Sequence, residues 1–250
     1  MLPELQPIID EPAFMIKEKK LLVIADLHIG IESELRENGI QVPSQTNIVE
    51  QRLISILTKN TIDDIILLGD IKHNIPSSTI QERTDVNRFL KTIQTYGTLH
   101  VIPGNHDGNI YRLLPSTIKL YPSDGFVFEG IGFTHGHRKP SNEVMQCEQV
   151  VIGHIHPTVM LTDRLGYRTF EQCWLRSVPV ADKLLEKFPT SQTLQILVMP
   201  TFNPLCGGIA VNRDPLLGPF RSLIDIDNTE IYLLDGSCLG KIKDLKESNK

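Results

Sequence analysis

The chain has 250 residues, a formal net charge of −5, and 40% hydrophobic against 22% charged residues. Those proportions belong to a soluble globular protein with a sizeable core and exclude disorder as the default. The acidic balance does not advertise a nucleic-acid surface, although a local basic patch can sit on an acidic protein.

No apolar run approaches the roughly 18 residues of a membrane span. The first 20 residues, with Glu4, Asp10, Glu11 and the lysine-rich 17–20, lack the apolar core of a signal peptide. A cytoplasmic protein is expected. Cys147, Cys173, Cys206 and Cys238 are widely scattered, which predicts free thiols over disulfides or a zinc knuckle.

Residues 13–25 read as a hairpin whose second strand, LLVIA (21–25), leads into Asp26. Val49, Leu53, Ile56 and Leu57 follow helical spacing over 43–58, with Pro43 suited to a first turn. A strand follows at 62–68, and Val86, Phe89, Leu90 and Ile93 form the apolar stripe of a second helix. An apolar strand at 99–102 comes next. Strand, helix, strand, helix, strand is the pattern of a parallel sheet wound with right-handed crossovers.

After Asp107 the character changes. Short strands are predicted over 117–134, broken by Pro122, Gly125 and Gly130, then a strand pair over 157–178 turning near Arg164, Leu165 and Gly166. A short helix at 181–188, a strand at 194–199 and a hairpin-like stretch at 223–240 complete the chain. This β-rich half predicts a second sheet packed on the first. With no linker and no internal repeat, residues 1–250 read as one domain. The segment 203–250 holds no histidine, and its role is not legible as chemistry.

Five strand-like runs end in groups able to bind metal. LLVIA (21–25) ends in Asp26 and His28, IILLG (65–69) in Asp70, and 99–102 in Gly104, Asn105, His106 and Asp107. GIGFT (130–134) ends in His135 and His137, and QVVIG (149–153) in His154 and His156. Open α/β sheets carry their chemistry at the carboxyl ends of strands. Asp26, His28, Asp70, Asn105, His135, His154 and His156 form an N/O donor set without thiolate, suited to Mn²⁺, Fe²⁺, Ni²⁺ or Zn²⁺. Seven donors exceed the needs of one such ion. Two ions about 3.5–4 Å apart, sharing a carboxylate, would use them all and clamp a phosphoryl displacement.

As a set and in this order, the five blocks resemble the signature of the calcineurin-like metallophosphoesterase superfamily over residues 26–156. The resemblance implies a four-layer αββα sandwich of two mixed β-sheets, with two metals, foremost Mn²⁺, at the sheet edge. It implies that Asp26, His28, Asp70 and His156 bind metal one, and Asp70, Asn105, His135 and His154 metal two, with Asp70 bridging. A hydroxide between the metals would attack phosphorus, while His106 protonates the leaving oxygen and Asp107 orients it. The pairing of Gly69–His73 with 200–208 (PTFNPLxGG) further resembles a branch that includes archaeal proteins of unassigned substrate and bacterial ligase-associated DNA-damage-response endonucleases. By analogy that implies a phosphodiester substrate, single-stranded nucleic acid included.

His73, His137 and Arg138 follow ligand positions and are candidate substrate contacts, with Lys72 and Lys139 beside them. His100 lies within its strand and reads as a packing histidine. The competing readings are a nucleotide or small-molecule phosphomonoesterase, a TIM-barrel amidohydrolase built on His154 and His156, and a metal-free scaffold on the same fold. The amidohydrolase is disfavoured because such a pair opens the first barrel strand, whereas this one closes the series. A scaffold would be expected to have lost ligands.

Overall fold

The computed structural model describes residues 3–76 and 78–246; the ends of the expected domain, 1–2 and 247–250, lie outside the described residues. The amino-terminal half builds a six-stranded mixed sheet. In order across it lie β1 (Gln6–Pro7), β2 (Ala13–Ile16), β3 (Leu21–Ala25), β4 (Asp64–Leu68), β5 (Thr98–Ile102) and β6 (Lys119–Leu120). The strands from β1 to β3 pair antiparallel and those from β3 to β6 parallel. Helices α1 (Ile31–Glu37), α2 (Thr46–Lys59) and α3 (Ile80–Ile93) provide the crossovers.

The remaining strands are β7 (Phe126–Phe128), β8 (Ile131–Thr134), β9 (Gln149–Ile152), β10 (Pro157–Thr162), β11 (Arg168–Ser177), β12 (Gln195–Val198), β13 (Ile209–Ala210), β14 (Glu230–Leu233) and β15 (Cys238–Lys241). They form a second mixed sheet in which β8, β9 and β12 run parallel. Short helices α4 (Asn142–Met145), α5 (Ala181–Lys187) and α6 (Ile242–Leu245) accompany it.

Period-two alternation explains the layering. In β3, Leu22 and Ile24 face α2 and α3, where they meet Val49, Leu53, Phe89 and Leu90; Leu21, Val23 and Ala25 point the other way. In β9 and β12 the alternation is mirrored: Val150, Ile152, Ile196 and Val198 face the outer core with Leu184 and Phe188, while Val151 and Leu197 face inward. The inward sets meet between the sheets, where Phe14 contacts Trp174 edge-on at 6.2 Å. Strands buried on both faces need the near-continuous apolar runs seen here, and each fully buried large side chain contributes about 1.5–3 kcal/mol. With α2 and α3 packed on the outer face of the first sheet and α5 on that of the second, the chain forms four layers.

Some boundaries differ from expectation. Helix α2 begins at Thr46, leaving Pro43 outside, where its carbonyl accepts from Gln45 Nε2 at 3.1 Å. The seven-residue α1 was not anticipated, being too short to show a helical period. The stretch 223–240 forms a hairpin only from residue 230; there β14 pairs with β11, so this late segment extends the second sheet.

Candidate metal centre

The carboxyl ends of β3, β4 and β5 from one sheet, and of β8 and β9 from the other, converge on one edge. Asp26 follows β3 directly and His135 follows β8; Asp70, Asn105 and His154 sit two or three residues beyond β4, β5 and β9. Asp26 and His135 are fully buried, with His28 and Asp70 nearly so. Asp26 (φ 57°), His28 (42°), Asp70 (48°), His154 (68°) and His156 (46°) all hold left-handed backbone. Such conformations cost about 1–3 kcal/mol each at non-glycine residues, and they persist where surrounding structure enforces them at functional sites.

Two glycines make the close approaches possible. A Cβ on Gly104 would lie 2.1 Å from Asp70 Oδ1, and one on Gly69 (φ 80°) would lie 2.1 Å from His135 Nδ1. Each is the glycine that precedes a donor in its sequence block.

The donor atoms lie side by side. His28 Nε2 is 3.5 Å from Asp70 Oδ2, His135 Nε2 is 3.3 Å from the same oxygen and 3.4 Å from Asn105 Oδ1, and His156 Nε2 is 3.2 Å from Asp26 Oδ1. Neighbouring donors on one ion with bonds near 2.1 Å are about 3 Å apart, so these spacings fit shared cations. His28 Nε2 and His156 Nε2 are buried without a hydrogen-bond partner. An unpaired buried polar atom costs about 1–3 kcal/mol, a deficit that a bound cation removes. Donor groups within 4.8 Å of one another form the sets Asp26, His28, Asp70 and Asp70, His135, His154. The residues therefore fit divalent metal.

The electrostatics are mutual. Burial alone would raise Asp70, yet hydrogen bonding and charge from His135, with His28 behind it, hold its carboxyl well below the usual range. Burial would lower His135, but Asp70 and Asp26 push it up to about 9. Burial wins at His28, held down to about 3, and at His154, held at about 4 with help from His135.

Around this core lie the other expected residues. The half-buried His106 donates its amide to Asp70 Oδ1 at 2.8 Å, and its Nδ1 bonds the His73 carbonyl. Asp107 is buried; its oxygens accept from the amides of Gly104, Ile71 and Lys72, tying the loop after β5 to the loop after β4. No bond joins its carboxylate to the His106 ring. Burial and the charge of Asp70 push Asp107 up to about 6 against those amides. His73 faces His28 and Glu34. His137 packs its ring against His135 and His154, while exposed Arg138 donates to Ser123 Oγ at 2.6 Å. Lys72 is buried, its ammonium donating to the Asn74 carbonyl at 2.6 Å, so it offers no exposed cation.

The family model described as calcineurin-like phosphoesterase matches residues 19–196. The chain belongs to the calcineurin-like phosphoesterase family. It is therefore a metal-dependent hydrolase of phosphoesters. Among solved structures, the nuclease MPE of Pseudomonas putida is 19% identical, covering 93% of this chain and 98% of that chain at a TM-score of 0.58, a likeness of fold. YfcE, a phosphoesterase from E. coli, is 15% identical over 88% of this chain and 97% of that chain, with a TM-score of 0.42.

Residues the sequence left unread also reach this edge. Thr201 Oγ1 donates to the Asp26 carbonyl at 2.9 Å, Asn203 Nδ2 donates to the Leu27 carbonyl at 2.9 Å, and the Gly207 carbonyl accepts from His156 Nδ1 at 3.0 Å. The signal was the stretch 200–208, visible as a motif but carrying no acidic or imidazole group.

Proposed function

We propose that this chain hydrolyses phosphodiesters, single-stranded nucleic acid among them, using two divalent ions, Mn²⁺ foremost, in donor sets that share Asp70. The observation carrying this reading is the double membership of Asp70, whose carboxylate lies in reach of Asp26 and His28 on one side and of His135 and His154 on the other. His156, beside Asp26, completes the first set, and Asn105, beside His135, completes the second. Ions held there would lower the pKa of an attacking water and neutralise charge growing on the phosphoryl oxygens.

The chain's own residues do the rest. A carbonyl only accepts, so His135 Nδ1 must donate to Leu68 O and His156 Nδ1 to Gly207 O, which leaves both Nε2 atoms turned inward, where they would hold an ion on giving up their protons. By the same argument His106 Nδ1 donates to His73 O. Its Nε2 remains to carry a proton to the leaving oxygen. The His106 amide bond to Asp70 keeps that acid beside the shared carboxylate. Asp107 acts on the same loop through backbone amides.

The diester substrate is supported by the fold shared with a nuclease and by Arg138 and Lys139, exposed cations next to His137. The test is hydrolysis of an oligonucleotide, a small diester and a monoester with Mn²⁺ across a salt series. A single-stranded substrate should lose affinity with a slope of about −0.7 per phosphate contact, less steeply in the Arg138→Ala, Lys139→Ala double variant. Efficient release of phosphate from monoesters with no oligonucleotide cleavage would favour a phosphomonoesterase.

A further inference from the structure

Among the four cysteines, Cys206 stands apart. Its sulfur, one ring nitrogen of His28 and one of His156 lie within 4.8 Å of one another. Donors on opposite sides of one ion are about 4.4 Å apart when the bonds are 2.1–2.3 Å, so the three groups can share a centre after a shift of tenths of an ångström. His28 is 4% exposed, and its Nε2, like that of His156, has no hydrogen-bond partner.

Backbone anchors hold the thiol there from both sides. Phe202 N donates to Ala25 O at 2.8 Å, and Thr201 and Asn203 bond the carbonyls of Asp26 and Leu27. Beyond the cysteine, Gly207 O accepts from His156 Nδ1, and Ile209 N donates to His156 O at 3.0 Å. Cys206 N closes the turn on Asn203 O at 3.1 Å. The loop is thus stitched to the two segments that carry Asp26, His28 and His156, with Cys206 between the stitches.

We infer that Cys206 supplies a sulfur donor to the ion held by Asp26, His28, Asp70 and His156, so that this site, while still taking Mn²⁺, favours sulfur-tolerant ions more than the second set does. On binding, the thiol loses its proton to solvent and the sulfur lone pair enters the coordination shell. Thiolate favours Zn²⁺, Co²⁺ and Cd²⁺, whereas the second set, built from carboxylate, carboxamide and imidazole, lacks that bias. The inference rests on the two-ion reading above.

The experiment loads the full chain with Co²⁺, counts ions per chain, and records the near-ultraviolet absorption. Wild type should bind two ions and show a thiolate-to-cobalt charge-transfer band. Cys206→Ser should lose the band, and Cys238→Ser should keep it. Cd²⁺ affinity in Cys206→Ser should fall by about 10- to 100-fold while Mn²⁺ affinity changes by less than about threefold. Two bound cobalt ions without the band in wild type, or a band that survives Cys206→Ser, would overturn the inference and leave the two-ion reading standing. Fewer than two ions in wild type would overturn both. Should Cys206→Ser fail to fold, Cys206→Ala is read in the same way, and a band that survives there would equally overturn the inference.

Discussion

Nδ1 of His28 and Nδ1 of His73 lie 3.2 Å apart. The Glu34 carboxylate bonds His73 Nε2 and can only accept, which leaves His73 Nδ1 as the acceptor and His28 Nδ1 as the donor. That chain of bonds fixes His28 with its Nε2 lone pair free and facing Asp70. These bonds suit His73 to position His28, a part different from the substrate contact expected from the sequence.

The two roles separate experimentally. Replacing His73 with Ala should weaken one of the two ions by about 10- to 100-fold, the usual effect of losing the partner of a metal-binding histidine. Calorimetric titration with Mn²⁺ measures it. An unchanged titration with only KM raised would return His73 to the substrate.

Gly104→Ala should disable the centre although no donor is changed. The added Cβ would overlap Asp70 Oδ1 at 2.1 Å and the Asp70 amide nitrogen at 2.5 Å, both fixed in a packed loop. Overpacking of that kind costs about 1–3 kcal/mol. Thermal melting should drop and metal content per chain should fall; a variant with wild-type melting and two ions would show that the loop yields freely.

His106→Ala should retain both ions while turnover falls by about 10²- to 10⁴-fold, the usual worth of a positioned general acid. The loss should shrink on esters with good leaving groups. Loss of an ion from this variant would instead make His106 a ligand.

His100 provides a pH test away from the metal edge. The imidazole is buried within β5, bonded to Asp64 at 2.7 Å and to the Tyr121 hydroxyl at 2.9 Å. Burial holds its pKa below the ordinary value, although Asp64 pulls the other way. A depressed histidine means that the unfolded chain binds the proton more readily. Its contribution to stability is complete above about pH 6.5 and is lost as pH falls through that value. Tm should therefore fall more steeply between about pH 7.5 and 5 in wild type than in His100→Gln. Parallel slopes would remove His100 from the account.

The strands that carry the site were legible because β3, β4 and β9 are buried on both faces and so read as unbroken apolar runs ending in Asp26, Asp70 and His154. Helices α2 and α3 were legible for a related reason, since each buries one stripe. Contacts made through backbone atoms left no trace in the pattern. Asn203 acts on the carbonyl of Leu27, and Asp107 on the amides of Ile71 and Lys72, partners that any residue type supplies. Lys72 was misleading: a lysine after a ligand position suggests a phosphate grip, yet its stem is buried and its ammonium turns back to Asn74. Glu34 lies on a seven-residue helix with no readable period, so its bond to His73 could not be anticipated.

Asp70, a member of both donor sets, is expected to join two ions in one centre. The most direct measurement is the number of Mn²⁺ ions bound per chain, by metal analysis after equilibrium dialysis, in wild type and in Asp70→Asn, with phosphodiester hydrolysis followed in the same samples. Wild type should hold two ions, and Asp70→Asn, whose neutral amide bridges poorly, should hold fewer than two and lose activity. A wild-type chain with one ion at saturation, or an Asp70→Asn chain with two ions and full activity, would contradict the account.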